Sequence, residues 1–213
     1  MCKKNIYCYY LKGVVPMGKI IRFLTVVVLL VVLSASSVLA GGVVKFGVEL
    51  PGTIYFIFPV KDLPSEALIY DTKMGFSVGG EFFFDLGERL AVGVGADYQL
   101  NRKSERYETS LFYMEEEFKF IPLYALARCQ IDSTYYVTGK VGYNLVEFQN
   151  YTAEYDFRGG LFYGFGGGVV LEDVFQVEVL YSVNNAKSTY QDDEDFECAI
   201  KYTKLGIALG YKF

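Results

Sequence analysis

The feature that most constrains this chain is an alternation of large apolar residues with small or polar ones. It recurs in eight segments after residue 40. In the segment from Arg89 to Asn101, every second residue from Leu90 to Leu100 is apolar, and all of these except Ala96 are large. The residues between them are small or polar. A strand puts alternate side chains on opposite faces, whereas a helix would scatter them around its axis. Each segment is therefore predicted to be a strand with one apolar face.

The lengths of the segments and of their connections favour a membrane barrel. Most segments have about ten residues, and a tilted strand needs roughly 9–11 to cross the hydrocarbon layer. The predicted strands are Val43–Leu50, Lys73–Phe84, Arg89–Asn101, Lys119–Cys129, Tyr135–Leu145, Leu161–Leu171, Phe175–Val183 and Tyr202–Phe213. Short turns (Asp85–Glu88, Gln130–Thr134, Glu172–Val174) alternate with long polar connections (Pro51–Thr72, Arg102–Phe118, Val146–Gly160, Asn184–Glu197). Such sorting of short and long connections is typical of outer-membrane barrels.

Two kinds of barrel have two-faced strands. A soluble, lipocalin-like barrel turns its apolar face inward around a hydrophobic ligand, and a membrane barrel turns it toward lipid. Here glycines crowd the other face, which suits the narrow interior of eight strands. Charges of both signs share that face and are expected to pair in a lumen network that plugs the barrel. The predicted network comprises Lys45, Glu49, Glu81, Asp97, Arg128, Lys140, Glu178 and Lys204.

An open sheet cannot lie in lipid, because its edge hydrogen-bonding groups would have no partners. The predicted fold is therefore all-β, an eight-stranded antiparallel up-and-down transmembrane β-barrel formed by residues 41–213. Residues 1–40 are predicted to be an N-terminal extension and a cleavable signal peptide, with Met17 as an alternative start. Val38 and Ala40 occupy the positions that a signal peptidase reads. The apolar run Phe23–Leu33 is shorter than the roughly 20 residues that a membrane anchor, the alternative, would need.

The C-terminal stretch YTKLGIALGYKF resembles the β-signal of outer-membrane proteins, in which alternate apolar residues precede a terminal phenylalanine. Its matching residues are Leu205, Ile207, Leu209, Tyr211 and Phe213. Residues 43–213 as a whole resemble the small eight-stranded barrels of the OmpA/OmpX type, often labelled porin-like. The resemblance implies a location in the bacterial cell outer membrane. It also implies that outer-membrane lipids and the barrel insertion machinery are partners. The protein is expected to be a monomer.

The residues offer little to catalysis. The chain has no histidine, which removes the commonest general base and metal ligand. The glycines of Gly164–Val169 lie within a predicted strand, which is the wrong context for a nucleotide-binding loop. No catalytic, cofactor or metal residues are predicted, although the acidic run Asp192–Glu197 leaves divalent-cation binding open. A formal charge of −5 argues against nucleic acid as a partner.

Cys129 and Cys198 are predicted to lie at opposite rims of the barrel, too far apart for a disulfide. The predicted function is that of a non-enzymatic integral outer-membrane barrel with a structural or surface-interaction role, its loops meeting an extracellular ligand in adhesion or recognition. The alternatives are the soluble periplasmic barrel, a narrow pore, or a lipid-modifying enzyme built on a Ser-Lys pair.

Overall fold

The computed structural model describes residues 41–58, 66–105, 117–149, 155–190 and 193–213. The predicted signal peptide, its cleavage residues Val38 and Ala40, and Met17 lie outside these ranges. So do Asp192 and the side chains of residues 193–196 in the acidic run. The strands are β1 (Gly42–Glu49), β2 (Thr53–Phe58), β3 (Glu66–Thr72), β4 (Gly75–Asp85), β5 (Leu90–Gln99), β6 (Arg102–Glu105), β7 (Glu117–Gln130), β8 (Tyr135–Gln149), β9 (Tyr155–Leu171), β10 (Phe175–Tyr190) and β11 (Asp193–Lys212). No helix in the described ranges is long and apolar enough to cross a membrane.

Eight of these strands form a closed antiparallel ring in the order β1, β4, β5, β7, β8, β9, β10 and β11. The ring closes where the first strand pairs with the last, from Val43 opposite Lys212 to Glu49 opposite Gly206. Closure gives every strand of the ring two neighbours, as a sheet surrounded by hydrocarbon requires. The predicted eight-stranded antiparallel barrel is confirmed.

The remaining short strands prolong three neighbouring strands of the ring. β2 continues β1 and pairs with β11, β3 continues the line of β4 and pairs with β2, and β6 continues β5 and pairs with β7. The breaks fall at residues 50–52, 73–74 and 100–101. A backbone hydrogen bond continues the ladder at all three breaks. Leu50 N–H donates to Leu205 O and Leu100 N–H donates to Phe76 O, both at 2.9 Å, and Lys73 N–H donates to Lys103 O at 3.0 Å.

Strands extend into all four connections predicted to be loops, and that part of the prediction was wrong. β8 runs to Gln149, β9 starts at Tyr155, and β11 extends over 20 residues. The reason is that the inner face becomes aromatic and apolar in this half of the barrel, where residues such as Ile54 and Phe120 are buried. Membrane-crossing segments are recognised by an apolar outer face and a small or polar inner face. Where the inner face is apolar as well, that difference between the faces is lost.

Three tight turns close the other end of the barrel, as predicted. Asp132 Oδ1 accepts hydrogen bonds from the backbone N–H groups of Thr134 (2.7 Å) and Tyr135 (2.8 Å). These bonds favour the carboxylate and lower the pKa of Asp132. Glu172 and Asp173 adopt left-handed φ angles of 51° and 58°, the geometry of a type I′ hairpin turn. Short turns identify this end as periplasmic.

In the membrane-crossing part of the ring, most of the large apolar residues point outward. Val94 and Leu209 are 54% and 53% exposed. The same orientation holds for Leu90, Val137, Val141, Phe165, Val179, Leu205 and Ile207. This is the orientation of a membrane barrel, and it is opposite to that of the soluble, lipocalin-like alternative.

Charged pairs replace apolar residues on the outer face toward the extracellular end. Lys119 Nζ lies 2.9 Å from Glu147 Oε2 across β7 and β8, and Lys187 Nζ lies 2.7 Å from Glu197 Oε1 across β10 and β11. Four residues after Lys119 along β7, toward the periplasmic end, the outer face is apolar again at Leu123. Because a lipid-facing band is apolar, the change marks its upper limit, and the strand extensions lie beyond it.

Candidate functional site in the barrel lumen

Inward-facing glycines explain how eight strands accommodate charged and aromatic side chains. A Cβ atom at Gly95 would lie 2.6 Å from the Tyr124 ring and 2.9 Å from Cγ of Glu81. A Cβ at Gly210 would lie 2.6 Å from Cγ of Gln176. Glycine on one strand thus provides the space that a large side chain from another strand fills. The alternation of small and large residues makes a packed interior rather than an open channel.

A central ion cluster, formed by Lys45, Glu81, Arg128, Lys140 and Glu178, crosses the middle of the lumen. Both lysines bridge both glutamates. Each Nζ lies 2.6 Å from Glu81 Oε1 and 2.8 Å from Glu178 Oε1. Arg128 Nη2 lies 3.5 Å from Glu81 Oε2 and 3.8 Å from Glu178 Oε2. The four lysine and glutamate side chains are at most 5% exposed. Buried charges need such partners, and each here has more than one.

Aromatic side chains hold the central ion cluster in place. The Tyr124 hydroxyl lies 3.0 Å from Glu81 Oε1 and 3.1 Å from Asp97 Oδ1, and the Tyr136 hydroxyl donates to Glu178 Oε2 at 3.3 Å. The Arg128 guanidinium lies 4.1 Å from the Phe83 ring centroid and 4.0 Å from that of Tyr136. Stacking of this kind fixes the plane of the guanidinium.

An upper ion cluster, formed by Glu49, Arg102 and Lys204, lies nearer the extracellular end. Glu49 accepts from Arg102 Nη2 with one carboxylate oxygen and from Lys204 Nζ with the other. Both cations lie over the Tyr202 ring, with Arg102 Cζ 5.4 Å from its centroid. Arg102 was missed by the sequence analysis, which placed it in a loop.

The structure places all eight residues of the predicted lumen network on the inner face. Five of them form the central ion cluster, and Glu49 and Lys204 belong to the upper one. Asp97 approaches the central cluster through the Tyr124 hydroxyl. An internal cavity of about 50 Å³ separates the clusters and is lined by Asp97, Ser182 and Lys204 among others. It has room for a few water molecules, since one needs roughly 10–15 Å³.

An aromatic core fills the lumen beyond the upper ion cluster. Its buried members are Ile54, Phe56, Phe118, Phe120, Ala186, Cys198, Ile200 and Tyr202. Phe120 stacks on Tyr202 with ring centroids 5.8 Å apart and an interplanar angle of 13°, and Phe118 meets Tyr202 edge-on at 5.3 Å. The core therefore lies across the route from the ion clusters to the extracellular end.

Gly95→Val is expected to destabilise the barrel by about 1–3 kcal/mol, because the new side chain overlaps Tyr124 and Glu81 in a filled interior. The urea midpoint of the refolded protein in detergent measures this effect. The matched control is Gly139→Ala, at an outward glycine whose added Cβ meets nothing within 4 Å. That control should stay within about 0.5 kcal/mol of wild type. Equal midpoints for the two variants would show that the lumen is not packed as described.

The other predicted residues are placed as follows. Cys129 is exposed at the periplasmic end of β7, Cys198 is buried in the aromatic core, and no disulfide joins them. Leu205, Ile207, Leu209, Tyr211 and Phe213 all lie exposed on the outer face at the end of the chain. Their role as an insertion signal stays a prediction. Within the described ranges, no group of three or more metal-ligating side chains comes together.

Comparison with known proteins agrees with this geometry. The model of the family described as outer membrane protein beta-barrel domain matches residues 25–213. No curated protein matches the sequence. Among solved structures, Neisserial surface protein A is 9% identical with a TM-score of 0.51, covering 82% of this chain and 99% of its own.

OprG from Pseudomonas aeruginosa is 15% identical with a TM-score of 0.47, covering 82% of this chain and 97% of its own. Ail from Yersinia pestis is 14% identical with a TM-score of 0.40, covering 81% and 99%. At these identities the likeness concerns the fold. The family match spans the whole barrel, and its location is the bacterial outer membrane. The chain belongs to the outer membrane protein beta-barrel domain family.

Proposed function

We propose that this protein is a non-enzymatic outer-membrane barrel with a sealed lumen, which acts through its extracellular surface in adhesion or recognition. The observation that carries the proposal is the filling of the lumen at three levels, by the central ion cluster, the upper ion cluster and the aromatic core. Eight strands leave space for little more than side chains, and here side chains occupy it. A diffusing solute would have to displace buried ion pairs and then aromatic rings.

The engagement of the lysines supports a non-enzymatic role. A Ser-Lys mechanism needs a neutral lysine beside a serine. The amine of Lys140 is held by two carboxylates and that of Lys204 by Glu49, so neither is free to accept a proton from a serine. The same contacts use the polar atoms that a substrate would have to reach.

The outer face supports a role at the cell surface. Above the lipid-facing band, the strands continue with paired charges on the outside and the aromatic core inside. A packed interior gives this projecting part a rigid framework, and binding residues commonly lie in connections that a rigid scaffold positions. Four connections arise from this end, at residues 59–65, 106–116, 150–154 and 191–192.

Two measurements test the proposal. In planar lipid bilayers, the purified protein should insert without single-channel conductance.

The second measurement is adherence. A non-adherent bacterial strain that displays the protein should bind epithelial cells. A variant with the four connections replaced by short Gly-Ser turns should lose binding while retaining the heat-dependent gel mobility of a folded barrel. Conductance by the wild-type protein, or unchanged adherence of the folded variant, would refute the proposal.

A further inference from the structure

One seam in the wall of the barrel loses its hydrogen-bonded ladder near the upper limit of the lipid-facing band. β8 and β9 pair as far as Tyr143 opposite Leu161, and no further pair joins them within the described ranges. Both strands nevertheless continue, β8 in register with β7 and β9 in register with β10. Residues 144–149 and 155–160 therefore face each other without a ladder, and they are called the upper seam below.

A β-bulge in β9 lies where the ladder ends. Asn184 of β10 is opposite Phe162 of β9. Two residues further along β10, Ala186 is opposite Gly159, so β9 has one residue more than β10 in this interval. An extra residue bends the bulged strand and leaves a residue unpaired. The bulge thus accounts for the loss of register between β9 and β8.

Side chains replace the ladder at the bulge. Asn185 Nδ2 donates to Leu161 O, and the Tyr143 hydroxyl donates to Gly159 O, both at 2.8 Å. Asn144 Nδ2 also donates to Leu161 O, at 3.4 Å. Carbonyl groups beside hydrocarbon need donors from the protein, because lipid tails offer none. The wall of the membrane-crossing part therefore stays closed although the ladder stops here.

A pair of stacked rings joins the upper seam above the bulge. Phe148 of β8 stacks on Phe157 of β9, with ring centroids 4.4 Å apart and an interplanar angle of 27°. Both rings are partly buried and pack against the aromatic core. On the outer face, Glu147 pairs with a lysine of β7 and Arg158 with an aspartate of β9, so neither of these ion pairs crosses the seam. The rings hold together two strands that a ladder would otherwise join.

We propose that the upper seam opens locally, with Phe148 and Phe157 as its latch, and thereby exposes the aromatic core sideways at the cell surface. Segments with few hydrogen bonds to their neighbours open at a lower free energy than the rest of a fold. The membrane-crossing part does not take part, because β8 and β9 are paired there without interruption. The ion clusters also remain in place, so the opening leaves the lumen sealed. This device is independent of a role in adhesion.

Amide hydrogen exchange, measured by nuclear magnetic resonance on the protein folded in phospholipid nanodiscs, tests the opening. The relevant amides are those of residues 145–149 that bond to β7 and those of residues 155–159 that bond to β10. In the wild type they should exchange at least about tenfold faster than the bonded amides of residues 186–189 and 198–201, which lie in the β10–β11 hairpin. Continued protection in the membrane-crossing part would show that the barrel itself remains closed.

Phe157→Ala removes the latch and leaves every backbone group in place. It should raise exchange at the upper seam by about a further tenfold, because the ring stack is lost. The matched control is Ile54→Ala, which shortens a buried side chain of the same core on β2, on the opposite side of the barrel. It should raise exchange at the upper seam no more than in the β10–β11 hairpin.

Two results would overturn the proposal. One is equal protection of the upper seam and the β10–β11 hairpin in the wild type. The other is a Phe157→Ala variant, folded by its heat-dependent gel mobility, in which exchange rises no more at the upper seam than in the hairpin.

Discussion

Glu81→Gln is expected to destabilise the barrel by about 3–5 kcal/mol, because it removes one partner from a buried ion pair. Glu81 and Glu178 each have four partners in the described lumen, and those of Glu81 lie closer. It contacts both lysines of the central ion cluster at 2.6 Å, faces Arg128 and accepts from Tyr124. Glutamine keeps the shape but not the charge. Lys45 and Lys140 would then share Glu178 alone, with an excess positive charge in the interior.

The free energy of unfolding in urea, with the protein folded in phospholipid vesicles, measures this loss. Glu147→Gln provides the matched control, because Glu147 forms an ion pair with Lys119 on the outer face and its side chain is 33% exposed. Surface pairs of this kind contribute about 0–1 kcal/mol. If Glu81→Gln cost no more than Glu147→Gln, the central ion cluster would not be a buried, paired network.

Val94→Arg is expected to cost about 2–4 kcal/mol when the barrel is folded in a lipid bilayer, the range for arginine near the midplane of a barrel's lipid face. Val94 lies in the middle of β5 and is more than half exposed. On a soluble protein, a residue so exposed could accept arginine with an effect within about ±0.5 kcal/mol. The large penalty arises only if Val94 meets hydrocarbon.

The same vesicle-based unfolding measurement applies to this variant. Lys187→Arg is its control, because Lys187 lies on the outer face beyond the lipid-facing band and pairs with Glu197. Replacing one exposed cation with another should leave stability unchanged there. A neutral effect of Val94→Arg would place that position in water and would contradict the outward orientation.

The sequence predicted the membrane-crossing part of the fold because the signal there is local. Each strand of the ring shows its two faces within about ten residues, so Leu90, Val94 and Ile207 could be assigned to the outer face without knowing any neighbour. The tight turns were equally local. Closure of the ring then followed from the need to satisfy backbone groups in lipid.

The breaks could not be predicted, and they explain why Arg102 was missed. Gln99 and Arg102 are both buried, with two exposed residues between them. Thr72 and Gly75 repeat this pattern on the neighbouring strand. One extra residue shifts the alternation, as in a β-bulge, and so turns Arg102 inward toward Glu49. Strict alternation would have turned Asn101 inward instead.

The sequence also could not predict which side chains of the lumen contact one another. Alternation assigns Lys45, Lys140 and Glu178 to one face, but their contact depends on the stagger of strands that are far apart in the chain. The aromatic core was hidden for a related reason. Phe118 and Phe120 alternate with charged residues, which is the pattern of a soluble strand rather than a membrane-crossing one.

Nitroxide labels on successive residues of β5 and β11 measure directly whether the apolar face meets hydrocarbon. The labels would be attached to single cysteines in a chain of residues 41–213 that carries Cys129→Ser and Cys198→Ala, which removes all native cysteines. In lipid vesicles, labels at Val92, Val94 and Ile207 should collide frequently with oxygen and rarely with a water-soluble nickel chelate. Labels at Ala91 and Asp97, on the inner face, should collide little with oxygen. Frequent nickel collisions at Val94 and Ile207 would contradict the placement of this face in the membrane.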